Sequence, residues 1–368
     1  MPTGSVRALV LERPRALVER TFPFPELGVD DGLLRVEACG LCGTDHEQYT
    51  GALPMPRAAV PGHEVVGVIE AVGPEAARRW GVTAGARVAV EVFQSCRVCD
   101  ACSAGDYRRC ERHGLGDMYG FIPVDRPPSL WGGYAEYLYL APDAMVLPVP
   151  DALDAVTATL FNPLGAGLRW GATVPGTKAG DVVAVLGPGM RGLATVVAAK
   201  AAGAGFVMVT GLGARDAERL ALTRDLGADL AVDVATTDPR RALRDATGAA
   251  ADIVIDVTAN APAAFTQALD LARPGGTVVV AGIHGDVDAA GFRSDTIALK
   301  ELHVIGVLGV DVAEHGAALD LLASGSPFAN LPRRIADLAG AEALVQSMVG
   351  EGREPAPVHA VIAPRAGS

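Results

Sequence analysis

Aromatic residues are scarce in this chain: 9 Phe, 6 Tyr and 3 Trp make 5% of 368 residues, so its core rests on Val, Leu and Ala rather than on stacked rings. Basic charge is in deficit too, with 31 Lys and Arg against 43 Asp and Glu, a net charge of −12 and no visible basic patch. That balance excludes the usual nucleic-acid binder, which needs a positive face for the phosphate backbone. Long apolar runs are missing. The charge-free stretch 155–168 is shorter than the roughly 20 apolar residues that span a bilayer, so no membrane role is expected. The opening residues MPTGSVRALVLERPR put no apolar segment behind a basic start; no secretory signal is expected, and the reading is of a soluble cytoplasmic protein. Only six cysteines occur, all between positions 39 and 110. Thiols clustered at short spacing in such a chain favour metal over disulfides.

What is present fits a globular chain of two domains. The length exceeds the roughly 100–200 residues of one domain, half the residues are hydrophobic, and 44 glycines with 25 prolines demand many turns. Short β-like runs at 5–12, 32–38 and 60–73, interrupted by Gly and Pro, predict an antiparallel barrel-like domain. From about residue 165 the rhythm changes. Apolar strands at 181–187, 206–211, 229–234, 251–258 and 277–282 alternate with helical patterns at 189–203, 216–228 and 261–276, which predicts an α/β doubly wound parallel sheet. The strand-like 359–364 is expected to rejoin the first domain.

Two motifs carry chemistry. The segment CRVCDACSAGDYRRC spaces Cys96, Cys99, Cys102 and Cys110 as C-x2-C-x2-C-x7-C, four thiolates able to close a tetrahedral structural zinc site. A ferredoxin-type iron–sulfur run would continue x3-C-P, which this segment does not. Gly187, Gly189 and Gly192 form G-x-G-x-x-G between a predicted strand and a predicted helix, the dinucleotide fingerprint, with Met190 and Arg191 inside it. The acidic residue that usually ends the second strand and holds the adenosine ribose is replaced by Gly211. The following loop offers Arg215, suited to a 2′-phosphate, and Asp216, able to reach the ribose. NAD and NADP both stand, with a lean to NADP.

These motifs, with CGLCGTD (39–45), PGHEVVGVI (61–69), GGYAEY (132–137), RPGGTVVVAG (273–282) and KELHVIG (300–306), resemble the zinc-dependent medium-chain alcohol dehydrogenase family over nearly the whole chain. The resemblance implies a GroES-like antiparallel β-barrel catalytic domain over 1–164 and 306–368, with a structural-zinc lobe at 94–112, and a Rossmann coenzyme domain over 165–305 with the active site in the cleft between them. It implies Cys42 and His63 as catalytic zinc ligands, Glu64 as the carboxylate beside the metal, Thr44 as the hydroxyl that relays the alcohol proton, Asp45 as an orienting residue, and Thr258 at the coenzyme. The third ligand of relatives, a Cys or Glu, is here Asn162. Asn162 itself, Glu64 or water completes the site, or Asn162 contacts substrate instead. A relay histidine of relatives is replaced by Glu47, with His46 one place early, and Cys39 reads as a small buried residue. Tyr119, Phe121 and Trp131 either line the substrate cleft or pack among themselves.

The expected activity is reversible oxidation of an alcohol, of secondary, polyol or sugar-like type, to an aldehyde or ketone with NAD(P), in a homodimer or homotetramer acting on small molecules. Two alternatives are a metal-independent carbonyl or enone reductase of the same superfamily and a nonenzymatic protein that binds zinc or nucleotide.

Overall fold

The computed structural model describes residues 4–55, 57–348, 351 and 356–365. The chain forms two compact units. The first runs through Phe161 and takes in Leu322–Ser324 and the chain from Leu331 onward; the second comprises Asn162–Leu321 and Gly325–Asn330.

In the first unit, strands β1 (Ser5–Arg13) and β2 (Ala16–Pro23) form an antiparallel pair. Strands β3 (Gly32–Gly40), β4 (Glu64–Val72), β5 (Arg87–Val90), β6 (Tyr137–Leu140) and β7 (Val146–Pro148) build the main antiparallel sheet. β3 is buried at seven of its nine positions. Such a strand packs on both faces, and Leu33, Leu34 and Val36 join Ile69, Leu138 and Ile362 in one apolar core. The register of β3 on β4 matters for function: Gly40 pairs with Glu64 and Cys39 with Val65, so the residues just past β3 meet those just before β4.

The second unit contains β8 (Val182–Leu186), β9 (Phe206–Gly211), β10 (Leu230–Asp233), β11 (Ala251–Asp256), β12 (Ala272–Val280) and β13 (His303–Gly306). All pair in parallel in the order β10-β9-β8-β11-β12-β13. Numbered within the sheet this is 3-2-1-4-5-6, the doubly wound order of dinucleotide-binding folds, and it reverses between β8 and β11. β8 is buried at four of five positions, as a strand covered by helices on both faces must be. The helical pattern expected over 261–276 ends at Leu271, and β12 begins at Ala272. Pro274 cannot continue a helix and accounts for the early change.

Strands β14 (Arg333–Ala336) and β15 (His359–Ile362) return to the first unit's sheet, β15 pairing with β3 through Val361 to Gly40 and Ile362 to Cys39. The units divide after Phe161, and the chain rejoins the first unit for good only at Leu331, against the sequence expectation of 164/165 and 305/306. Side-chain contacts explain why the stretch after β13 stays with the second unit. Arg169 Nε pairs with Asp311 Oδ2 at 2.9 Å, the Trp170 indole N–H donates to the Gly309 carbonyl at 3.1 Å, and a Cβ at Gly165 would lie 2.7 Å from the His315 ring.

Candidate metal centres and nucleotide loop

The cysteine lobe folds around its own sulfurs. Cys96, Cys99, Cys102 and Cys110 bring their Sγ atoms within 4.8 Å of one another, and all six cysteines of the chain are free thiols. Cys96 Sγ and Cys102 Sγ lie 3.8 Å apart. Zinc–sulfur bonds of about 2.3 Å at tetrahedral angles put sulfurs about 3.8 Å apart, so the donor set fits the ion. Backbone N–H groups of Cys99 and Cys102 donate to the sulfurs three residues earlier, each at 3.4 Å. The Val98 amide leads a group of such donors that holds the Cys96 thiol below its ordinary pKa, toward the thiolate a metal requires. The lobe is anchored by Tyr107, whose hydroxyl donates to the buried Glu91 at 3.1 Å.

A second donor cluster arises from the β3–β4 register. Cys42 caps the helix Gly43–Thr50 just past β3, and His63 and Glu64 stand at the start of β4, so residues 21 apart in sequence converge. One ligand atom from each of Cys42, His63 and Glu64 lies within 4.8 Å of the other two. His63 is 6% exposed and Glu64 3%. Thr44 is close by, its Oγ1 3.7 Å from Cys42 Sγ. Asp45 closes the helix start by accepting the Cys42 N–H at 2.8 Å. Its other oxygen lies 3.7 Å from His63 Nδ1, beyond hydrogen-bond length, and among the described residues neither buried atom has a hydrogen-bond partner. That puts a carboxylate on the Nδ1 side of the imidazole, as in metal-bound histidines whose second nitrogen is oriented by an acid.

Burial raises the Asp45 carboxyl to about 6, with the nearby His63 working the other way. At His63 burial disfavours the charged ring, but Asp45, Cys42 and Glu64 outweigh it and raise the pKa to about 9. A cluster so rich in negative charge holds a proton where it would otherwise hold a cation, and loading a metal displaces that proton. The residues present therefore fit a zinc ion with three protein donors.

The surroundings of this cluster resolve the aromatic segment residue by residue. Tyr119 and Trp131 are core residues, their rings 6.3 Å apart, whereas the Phe121 ring lies 6.0 Å from His63. Cys39 is fully buried, in keeping with a small packing residue. His46 and Glu47 are half-buried on the helix Gly43–Thr50.

Asn162 belongs to the second unit, 4% exposed at the start of the helix Phe161–Leu168. Its Oδ1 and its backbone carbonyl accept from the two terminal nitrogens of Arg191, at 2.8 and 3.1 Å. The same guanidinium lies 5.4 Å from the Trp170 ring centroid, and Arg191 thus ties the nucleotide loop to this helix.

In that loop each glycine has a different reason. Gly187 has φ +99°, a left-handed conformation that side chains resist. A Cβ on Gly192 would sit 1.9 Å from the Gly187 carbonyl oxygen. A Cβ on Gly189, the N-cap of the helix Met190–Ala201, would meet nothing within 4 Å among the described residues, so the space beside it is open. An open approach to exposed helix N–H groups is what a pyrophosphate needs. Met190 and Arg191 occupy the first turn of this helix.

At the end of β9, Gly211 is buried, and Asp216 points inward: one oxygen accepts the Leu212 N–H at 2.8 Å, the other pairs with Arg215 Nε at 3.3 Å. Arg215 itself is exposed. Thr258 packs beside Gly187 and is held by Asp256, a fully buried carboxylate that sequence reasoning overlooked. Its one signal was an acid closing the strand ADIVID directly after the apolar run Ile253–Ile255.

Comparison with known proteins agrees with this geometry. Residues 28–151 match the alcohol dehydrogenase GroES-like domain and residues 192–324 the zinc-binding dehydrogenase domain. A Mycobacterium tuberculosis (strain H37Rv) protein named "Probable alcohol dehydrogenase adh" is 66% identical over 361 residues, covering 98% of both chains. Sorbitol dehydrogenase of Bacillus subtilis is 29% identical over 87% of each chain. A solved structure from Sinorhizobium meliloti, described as a zinc-binding dehydrogenase bound to NADP, superposes with a TM-score of 0.83 at 29% identity, covering 98% of this chain and 100% of the other. With two metal-fitting donor sets, a doubly wound sheet and a relative 66% identical over 98% of its length, the chain belongs to the zinc-dependent medium-chain alcohol dehydrogenase family.

Proposed function

We propose that this alcohol oxidoreductase interconverts a secondary, polyol or sugar-like alcohol and its carbonyl, with NAD(P) as hydride partner and NADP preferred. The observation that carries the reading is the buried convergence of Cys42, His63 and Glu64 beside the Thr44 hydroxyl. Zinc in such a donor set, with a position left open, supplies Lewis acidity that lowers an alcohol's pKa and polarises a carbonyl. Cys42 serves as a thiolate, favoured by the helix N-terminus it caps. His63 serves as a neutral imidazole, oriented by Asp45 from its Nδ1 side. Thr44 takes the alcohol's proton and passes it outward. Glu64 is assigned as third donor because the Asn162 side-chain oxygen is already engaged by Arg191. Cys96, Cys99, Cys102 and Cys110 hold a structural zinc.

In the second unit the N–H groups at Gly189, Met190, Arg191 and Gly192 bind the pyrophosphate, and Thr258 flanks the coenzyme. Preference for NADP is supported by Asp216, whose two oxygens are turned inward, and by the exposed Arg215 beside it; the Sinorhizobium relative solved with NADP points the same way. The sorbitol dehydrogenase relative supports a polyol or secondary alcohol.

Among the described residues no helix is long and apolar enough to cross a membrane, and we assign the protein to the cytoplasm. Assembly as a homodimer or homotetramer is supported by β13, an edge strand of the parallel sheet with Val304 exposed and Leu299 and Leu308 exposed nearby. The test is dialysis against a strong chelator followed by zinc restoration, with NAD(P)H absorbance as readout. Activity should vanish and return; full activity in metal-free protein refutes the zinc role.

A further inference from the structure

The carboxyl ends of β11 and β12 carry a side-chain cluster that the fingerprint does not include. Asp256, the last residue of β11, is 0% exposed and uses both carboxylate oxygens. Oδ1 accepts the Thr258 backbone N–H at 3.0 Å and its hydroxyl at 2.7 Å, and Oδ2 lies 3.1 Å from His284 Nε2. The Asp256 carbonyl accepts the N–H groups of Ala281 and Gly282, each at 2.9 Å, and the Asn260 N–H donates to Ile283 at 3.1 Å. The loops after the two strands are thus stitched together around one buried acid. Thr258 in turn packs on the nucleotide loop, its Cγ2 3.0 Å from where a Gly187 side chain would begin. The cluster stands where the strand order reverses between β8 and β11, the position at which open parallel sheets bind ligands.

His284 has one nitrogen accounted for and one not. A carboxylate only accepts, so Nε2 carries the proton given to Asp256, and in the neutral ring Nδ1 is then an acceptor. Nδ1 is buried without a partner among the described residues, yet the side chain keeps 14% of its surface accessible. An unpaired polar atom at a ligand-binding edge is costly unless something arrives to pair with it. Dinucleotides lie across such sheets with one mononucleotide on each half. The fingerprint and the adenosine-ribose position at the end of β9 assign adenosine to the β8–β10 half, which leaves the nicotinamide half to β11–β13. His284 follows β12.

We infer that His284 is a coenzyme-contacting residue: clamped on Asp256 through Nε2, it accepts a hydrogen bond at Nδ1 from a hydroxyl or amide N–H of the nicotinamide mononucleotide half. The inference rests on the nucleotide site proposed above, and it sets the affinity for that half of the coenzyme. The competing role is purely structural, the ring serving only to satisfy Asp256.

Two amide substitutions separate these roles by bond count. The polar atoms of Asn stand as far from Cβ as Nδ1 does, and Nε2 of Gln stands as far as Nε2 of His. His284→Asn therefore keeps the coenzyme-facing group, and His284→Gln keeps the Asp256-facing one. NADPH, NADH and ADP are titrated calorimetrically into the zinc-loaded protein and both variants. The expected result is that His284→Gln weakens NADPH and NADH about fivefold, the worth of one ordinary hydrogen bond. ADP, which lacks the nicotinamide half, should bind that variant unchanged, and His284→Asn should stay within about twofold of the parent for every probe. The inference is overturned if His284→Gln binds NADPH and NADH like the parent, if ADP weakens in step with them, or if His284→Asn is the variant that loses them. Failure of the parent to bind any of the three probes overturns the nucleotide-site reading itself, a result distinct from the others.

Discussion

Gly189→Ala should leave the second unit folded and cripple its coenzyme binding, whereas Gly192→Ala, three residues on, should do damage before any coenzyme arrives. Gly189 has φ −66° and ψ 177°, a conformation open to any residue, and a Cβ there meets nothing within 4 Å. The folding cost is that of alanine at a helix N-cap, about 0.5–1 kcal/mol. For a unit of this size that lowers the transition temperature by about 1–4 °C. The same methyl group occupies the space we assign to the coenzyme's pyrophosphate. Losing two charge-assisted hydrogen bonds of about 1.5 kcal/mol each corresponds to roughly 100-fold weaker binding. At Gly192 the new Cβ would lie 1.9 Å from the Gly187 carbonyl oxygen, so loop and helix must separate by more than an ångström. Overpacking on that scale costs about 3 kcal/mol, or roughly 6–12 °C. Scanning calorimetry without nucleotide and titration calorimetry with NADPH and NADH read the two effects separately. Coenzyme binding by Gly189→Ala within threefold of the parent, or a larger drop in transition temperature than Gly192→Ala shows, would refute the assignment of Gly189 to the pyrophosphate.

Cys110→Ala should halve the zinc content measured by elemental analysis and lower the unfolding midpoint, since metal bound by the lobe adds to folding free energy; an unchanged metal content would exclude a tetrathiolate site. Arg215→Ala should reduce the NADPH-to-NADH affinity ratio about tenfold, the value of one charge-assisted contact, and an unchanged ratio would remove Arg215 from the 2′-phosphate. His359, 2% exposed with Nε2 3.2 Å from Thr159 Oγ1, has its pKa pushed down to about 3 by burial, with Arg333 adding to the effect. The unfolded chain takes up this proton near pH 6.5 and the folded one does not, so stability is complete above that pH and falls as pH drops toward 3. About 2 kcal/mol should be lost between pH 7 and 5 through this residue. His359→Gln should flatten that part of the profile in urea melts, and an identical profile would refute the assignment.

How far the sequence could be read depended on whether the signal was local. The C-x2-C-x2-C-x7-C lobe, the glycine loop and the alternating strands and helices of the second unit were legible because each is a short-range pattern with one geometric solution: four sulfurs brought together, or a tight turn feeding a helix. Cys42 and His63 were legible only through family resemblance, since nothing in the 20 residues between them announces a shared site. The β3–β4 register brings them together. Asn162 stood out as an unusual residue in its segment, but its engagement by Arg191, 29 residues on, depends on its helix packing against the first turn of the helix Met190–Ala201. Tyr119, Phe121 and Trp131 looked equivalent in sequence and are not. Two are core, and one faces His63.

By itself, then, the sequence determined the composition-level exclusions, the parallel coenzyme sheet and the four-cysteine lobe, because periodicity, spacing and donor chemistry survive without coordinates. Tertiary structure alone decided the unit boundaries, where Asp311 and Gly309 hold the chain after β13 in the second unit. It alone turned Asp216 inward and set Asp256 and His284 at the strand ends. The physical reason is that a buried acid finds its partners through packing between distant segments, and no single-chain pattern encodes which donors will arrive.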